Sequence, residues 1–314
     1  MSTTTSIEWA DRSWSPVLGC EKVSPGCDHC YAIRTSHRLA HMPHTRDLYA
    51  GLTARPADGS SIDWTGVVRT VPARLADPFS WRLPQRIFVN SQSDLFHSDV
   101  PTDFIAETFA VMALSLRHTF QVLTKRPARM RALLSSEAFV DAVGKHAERL
   151  WTLDGWHHAV ETQWPGWPLP NLWLGVSAED QKRADLRIPA LLETPAAVRW
   201  VSAEPLLGPI DFNWLDGVSG LLRDWAGGPG GGTGCPHPLV DWVVVGCESG
   251  PRARPMDIVW ANTIVADCQE AGTPVLVKQL PTGPRGRATQ DLSTFPEHLR
   301  IREYPTTQEG TTTT

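Results

Sequence analysis

The sequence contains no apolar run approaching the roughly 18 residues that a membrane-spanning helix needs, so no membrane association is expected. The opening stretch, MSTTTSIEWADRSWSP, has no basic region leading into an apolar segment, and no secretory leader is expected from it. Six cysteines in 314 residues are too few and too scattered for a disulfide framework, which points to a reducing, cytoplasmic setting. The glycine fingerprint of a nucleotide-binding first turn is missing, and so is any internal repeat. Positive charge is also short. A net charge of −5 argues against non-specific coating of nucleic acid, although a local basic groove stays compatible with it. The apolar share of 41% is slightly low yet adequate for a full core, in one large domain or two ordinary ones.

What is present is a series of short β-branched or aromatic runs, most of them followed by a helical pattern. RIFVNSQSD (residues 86–94) precedes the amphipathic DFIAETFAVMALSL, and TFQVLTKRP (119–127) precedes ARMRALL. LWLGVSAED (172–180) leads into QKRADLRIPALLE; then come VRWVSAEP (198–205), DWVVVGCESG (241–250) with DIVWANTIVADCQEAG behind it, and PVLVKQL (274–280). Near-continuous apolar strands alternating with helices indicate a parallel sheet covered on both faces. The expected fold class is therefore α/β, as a full or partial parallel (βα) barrel, with an open doubly wound sheet as the runner-up. Three insertions interrupt a domain spanning 1–280: residues 41–76 read as irregular, 135–170 as a helix and then a Trp/Pro-rich loop, and 215–238 as holding a flexible glycine tract; 281–314 reads as a C-terminal extension. DRSWSPVLGC reads as the end of a first strand, with Trp14 and Val17 in it.

Polar side chains gather at the carboxyl ends of these runs: Ser91, Ser93, Asp94, Lys125, Arg126, Ser177, Glu179, Asp180, Ser202, Glu204, Glu248, Ser249, Lys278 and Gln279. Helix capping accounts for Asp180 and Ser249, but it does not call for Lys125, Glu204 or Lys278. In a barrel those ends share the rim on which active sites are built. Cys20, Cys27 and Cys30, spaced C-x6-C-x2-C, follow the first strand. Two thiols in a CxxC with a third a short loop away suit one metal centre, zinc or iron–sulfur. No fourth cysteine lies beside them. Either another residue completes the set, with His37, His41 and His44 the nearest candidates for zinc, or one coordination position is open.

IEWADRSWSPVLGCEKVSPGCDHCYA, RIFVNSQSDLFHSDVP, HTFQVLTKRPARM, LPNLWLGVSAEDQ, VRWVSAEPLLGPID and VVVGCESGPRARPM together resemble the phage-associated three-Cys-motif proteins, from Ile7 to about Gln279. That family looks like a divergent branch of the radical S-adenosylmethionine (SAM) superfamily. The resemblance implies a barrel of radical-SAM type. It implies that Cys20, Cys27 and Cys30 hold a [4Fe–4S] cluster whose fourth iron is left for SAM, which is cleaved to a 5′-deoxyadenosyl radical. The first cysteine loop is longer than the common C-x3-C-x2-C form. On this reading strand-end position assigns Asp94, with Ser91 and Ser93, to the SAM ammonium. Lys125 or Arg126 would meet the SAM carboxylate or a substrate phosphate, and Ser177 and Glu179 the ribose hydroxyls. Glu204, Glu248 and Lys278 would be the substrate or proton-handling groups. The expected substrate is a nucleic acid base or nucleotide, in modification or repair. The expected electron donor is a flavodoxin or ferredoxin, and a neighbouring-gene partner protein is a further expectation. The competing reading is a zinc- or cluster-stabilised nucleic-acid-binding or accessory protein without catalysis.

Other signals carry less. Cys235, Cys247 and Cys268 match no compact ligand loop, and Cys268 lies in a helical pattern; they read as buried free thiols rather than a second cluster. Cys247 also stands where the resembled family has glycine. Trp151, Trp156, Trp164 and Trp167 read as packing residues ahead of base-stacking ones. The stretch from Arg117 to Arg131 holds five Lys/Arg and no acid, with Arg252, Arg254, Arg285 and Arg287 further on. It would favour a nucleic acid substrate only if it faces the cysteines.

Overall fold

The computed structural model of the protein describes residues 5, 7–57, 59, 61–152, 164–212, 214–215, 218–219, 240–250, 252–283 and 287–306. It is a mixed α/β protein with two compact units: Met1–Ser177 with Leu186–Ala197, and Ala178–Asp185 with Val198–Thr314. Among the described residues, eight strands, four in each unit, supply the largely parallel sheet structure.

In the first unit β1 (Arg12–Trp14) and β2 (Val17–Leu18) lead into the cysteine loop. There follow α1 (Tyr31–Ala40), α2 (Arg46–Tyr49), β3 (Thr53–Ala54), β4 (Asp63–Trp64) and β5 (Arg69–Thr70). Then come β6 (Arg86–Val89), α3 (Thr102–Ala113), β7 (Thr119–Thr124), α4 (Pro127–Leu134), α5 (Glu137–Thr152) and β8 (Leu172–Ser177). Strands β1, β6, β7 and β8 pair side by side, all parallel. Every residue of β8 is buried, the signature of a strand covered on both faces. Helix α5 buries Phe139, Val143, Ala147 and Leu150, spaced three or four apart, and its Phe139 meets Phe109 of α3 edge-on at 5.5 Å.

Residues 41–76 are more ordered than the irregular insertion expected from the sequence. Strand β5 pairs antiparallel with β2, and β4 with β3. Leu18, Tyr49, Leu52 and Val71 bury one another in a small core of their own. Proline and glycine hid these elements, because two-residue strands are too short to show a period. The small core braces the segment that enters the cysteine loop.

Helix α6 (Gln181–Leu192) is divided between the units at Asp185, and the second unit goes on with β9 (Val198–Ala203), β10 (Trp214–Leu215), β11 (Val218–Ser219), β12 (Trp242–Gly246), α7 (Ile258–Ala271), β13 (Val275–Pro281) and β14 (Ala288–Thr289). Strands β9, β12 and β13 are parallel neighbours, and β14 adds to β13 antiparallel. Trp200 and Trp242, paired across β9 and β12, lie 5.3 Å apart, and Tyr304 stacks on Trp242. Helix α7 starts on Asp257, whose carboxylate accepts from Val259 N–H, and ends on Gly272 in the left-handed conformation at φ +72°. Beyond residue 281 the chain returns to bond with β13 through Ile301 O and Glu303 N.

Leu52→Ala would hollow the small core beneath the cysteine loop. Truncating a fully buried leucine costs about 2–5 kcal/mol, so the urea unfolding midpoint should fall accordingly.

Candidate metal and cofactor site

A cavity of about 140 Å³ in the first unit lies where the carboxyl ends of β6, β7 and β8 meet the cysteine loop. Parallel sheets place their ligands at such ends. Cys20, Cys27 and Cys30 line it together with Ser91, Ser93, Asp94, Lys125 and Ser177. The structure thus unites eight of the twelve site residues expected from the sequence.

The loop is built tightly. Gly19 sits at φ +85°, and a Cβ on it would fall 2.1 Å from Val67 O, so glycine alone can deliver the chain into Cys20. Cys27 closes a short 3₁₀ turn begun by Pro25, and Cys30 caps α1. Helix α1 is tied to the turn after β6: Tyr31 OH donates to Ser91 O at 2.7 Å, and Ser36 Oγ to Gln92 Oε1 at 3.3 Å.

Asp94 organises the opposite strand ends. Its carboxylate accepts from Thr124 Oγ1 at 2.7 Å and 2.9 Å, Phe96 N at 3.0 Å, Lys125 N at 3.0 Å and Arg126 Nη1 at 3.2 Å. Arg126 continues to Glu21 Oε1 at 3.4 Å and lies 3.8 Å from Cys20 Sγ. The carboxylate expected to meet an ammonium group is therefore already committed to this network. Ser93 is committed as well, donating to Val17 O at 2.7 Å, while Ser91 Oγ accepts from Ser13 Oγ at 2.7 Å.

Burial, reinforced by the Asp94 carboxylate, pushes the Cys20 thiol up to about 12, with Arg126 opposing. Burial also raises Cys30, partly offset by the Ala32 and Ile33 N–H dipoles at the start of α1. Among the described residues no group of three or more His, Cys, Asp or Glu side chains converges to hold a single metal ion. The three thiols share a cavity without being drawn to one point.

The remaining expected residues belong to the second unit. Glu204 pairs with Lys278 at 2.9 Å, and its Oε1 would lie 2.4 Å from a Cβ on Gly246, so bare backbone makes room for the carboxylate. Glu248 accepts from Arg254 N at 2.8 Å and Nε at 3.1 Å. Glu179 is fully buried, 3.9 Å from Arg183. Asp180 accepts from Arg183 N at 3.0 Å, the capping role expected of it, whereas α7 is capped by Asp257 and not Ser249.

The weaker signals sort themselves by partner. His37 bonds Thr53 and stacks near His41, and His44 is exposed; none lines the cavity. Cys247 and Cys268 are buried free thiols, and Cys235 lies outside the described residues. Trp167 donates to Leu134 O at 3.1 Å and packs on Phe109 and Phe139; Trp156 lies outside the described residues. Of the basic stretch only Lys125 and Arg126 line the cavity; Arg129 reaches Val100 O at 2.7 Å and Arg131 pairs with Glu193. Arg285 lies outside the described residues.

Sequence reasoning passed over Asn90, Tyr31 and Trp64, which also line the cavity. Tyr31 follows Cys30 directly, a signal that was available. Asn90 and Trp64 gave none, since only the fold brings them here.

The fold and the cavity define a mixed α/β protein with a three-cysteine pocket at the carboxyl ends of parallel strands. The chain belongs to the family described as "Protein of unknown function (DUF5131)", whose sequence profile matches residues 4–294. No curated protein and no solved structure matches it.

Two outcomes follow from this geometry. Asp94→Asn leaves Arg126 with only the exposed Glu21 as charge partner and points an amide N–H at existing donors. Stability measured by urea denaturation should fall by about 3 kcal/mol, the scale for breaking a buried pair from one side. The raised thiols are protonated at neutral pH in the metal-free chain, and metal must displace those protons. Alkylation of Cys20 by iodoacetamide at pH 8, followed by mass spectrometry of its peptide, should therefore be at least about tenfold slower than that of free cysteine.

Proposed function

We propose that this protein is a radical-SAM-like enzyme that binds a [4Fe–4S] cluster through Cys20, Cys27 and Cys30 and acts on a nucleic acid base or nucleotide. The observation that carries the reading is the convergence of three cysteines and a set of polar strand-end residues on one cavity. The donor set fits the group. Thiolates are the soft ligands that iron–sulfur clusters take, whereas a single zinc needs all its donors within about 2.3 Å of one point. A cluster held by these cysteines would, once reduced, supply the one electron that splits SAM into methionine and a 5′-deoxyadenosyl radical.

The chain's own residues do the rest. The three cysteines hold the cluster, and the Asp94–Arg126 network keeps their loop in register with β6 and β7. Lys125 offers its ammonium to an anionic group on the ligand. Tyr31, Trp64 and Phe88, which line the same cavity, offer ring surfaces for adenine or a substrate base. Ser91 and Ser177 supply hydroxyls at the cavity wall. Within the second unit Glu204, Lys278 and Glu248 are kept as the proton-handling candidates. The parallel strands of the two units are read as a full or partial radical-SAM barrel, the phage-associated three-Cys-motif proteins as kin, and a flavodoxin or ferredoxin as electron donor in the cytoplasm.

Anaerobic reconstitution with iron and sulfide should yield a brown protein that, once reduced, forms 5′-deoxyadenosine from SAM, detected by mass spectrometry. The variant with Cys20, Cys27 and Cys30 all changed to alanine should lose both colour and product while keeping its circular dichroism. One tightly held zinc, or a loaded cluster that forms no deoxyadenosine with any reductant, would overturn the reading.

A further inference from the structure

We infer that the cysteine-lined cavity grips its ligand by an oxyanion, a carboxylate or a phosphate, and that Asn90 and Lys125 are the donors that hold it. The inference deepens the catalytic reading by naming the group recognised, but it does not need the radical step.

Asn90 follows β6 and is 4% exposed in the cavity wall. Its Oδ1 accepts from Val17 N–H at 3.2 Å. That contact fixes the orientation of the amide, because only the oxygen can face a donor. The Nδ2 group is left buried without a hydrogen-bond partner. A buried donor without an acceptor is costly, and here the same residue also has φ 60°, uncommon outside glycine. The unpartnered amide, at a residue that lines the cavity, marks a donor kept for a ligand.

Lys125 supplies the sign of that ligand. Its backbone N–H is taken by Asp94, but among the described residues its ammonium has no partner. The neighbouring cations are spent: Arg126 on Asp94 and Glu21, Arg129 on backbone carbonyls, Arg131 on Glu193. The two carboxylates that line the cavity, Asp94 and Glu21, are both paired with Arg126, and Asp94 also accepts from Thr124. An amide donor and an ammonium, both without acceptors, suit an oxygen anion. Two sources could present it: the carboxylate of an amino-acid cosubstrate such as SAM, or the phosphate of a nucleotide.

Calorimetry on the reconstituted full-length protein under anaerobic conditions separates them, using SAM against decarboxylated SAM and adenosine 5′-monophosphate against adenosine. In at least one pair the oxyanion-bearing member should bind at least tenfold more tightly, and that pair identifies the source. Asn90→Asp, which keeps the Val17 contact and tolerates the left-handed backbone, should cut the preference at least fivefold; so should Lys125→Met. Circular dichroism checks the fold, and Lys125→Met at its partly exposed position carries the test should Asn90→Asp fail to fold. Equal binding within both pairs, no binding of any of the four, or a preference unchanged in the folded variants would overturn the inference. A phosphate preference lost in the variants, in a protein that never cleaves SAM, would remove the catalytic reading and leave this site standing.

Discussion

The first unit depends on how one buried carboxylate is shared. Asp94, at the end of the turn after β6, accepts from the backbone and side chains of residues 124–126 at the end of β7. Arg126, drawn in by that charge, then reaches Glu21 and comes within 3.8 Å of the Cys20 sulfur. Two strand ends and the cysteine loop are thereby locked by one charge-assisted network in a partly dry setting, where such bonds are strong and leaving one unmade is costly. The three cysteines are only partly buried, so this network adds to the bracing that the small core gives the entry to their loop.

That sharing explains how an acidic chain keeps an uncommitted cation in its pocket. Net charge describes the average surface, while a cavity responds to the few groups that face it. Asp94 and Glu21 both pair with Arg126, which leaves Lys125 as the lining cation without an ion pair, beside the buried donor of Asn90. The second unit repeats part of the scheme, with Glu204 and Lys278 paired over the bare backbone of Gly246 and Glu248 held by Arg254. In both units ionisable side chains sit just past the ends of parallel strands, where the backbone stops pairing and side chains become free to meet.

The six long strand runs were readable because each is near-continuously apolar, and five of the described strands fall inside the expected runs while β13 extends one residue beyond its own. Helices α3, α4, α6 and α7 also lie where their patterns indicated. Residues 41–76 were not readable: a two-residue strand gives no period, and the core of Leu18, Tyr49, Leu52 and Val71 is assembled from distant positions. The gathering of Cys20, Asp94, Lys125 and Ser177 could be anticipated from strand-end position. Which of them would be occupied by protein partners could not, because a carboxylate in a motif looks the same whether it faces a ligand or an arginine.

The sequence by itself determined the alternation of apolar strands and helices, the spacing of the three cysteines and membership of a family, because each is carried by neighbouring residues along the chain. Only the tertiary structure decided that Asp94 is spent, that Arg126 is spent with it, and that Asn90 and Lys125 are left with unused donors. Those outcomes turn on hydrogen-bond partners roughly thirty to a hundred residues apart, and linear order does not record who meets whom.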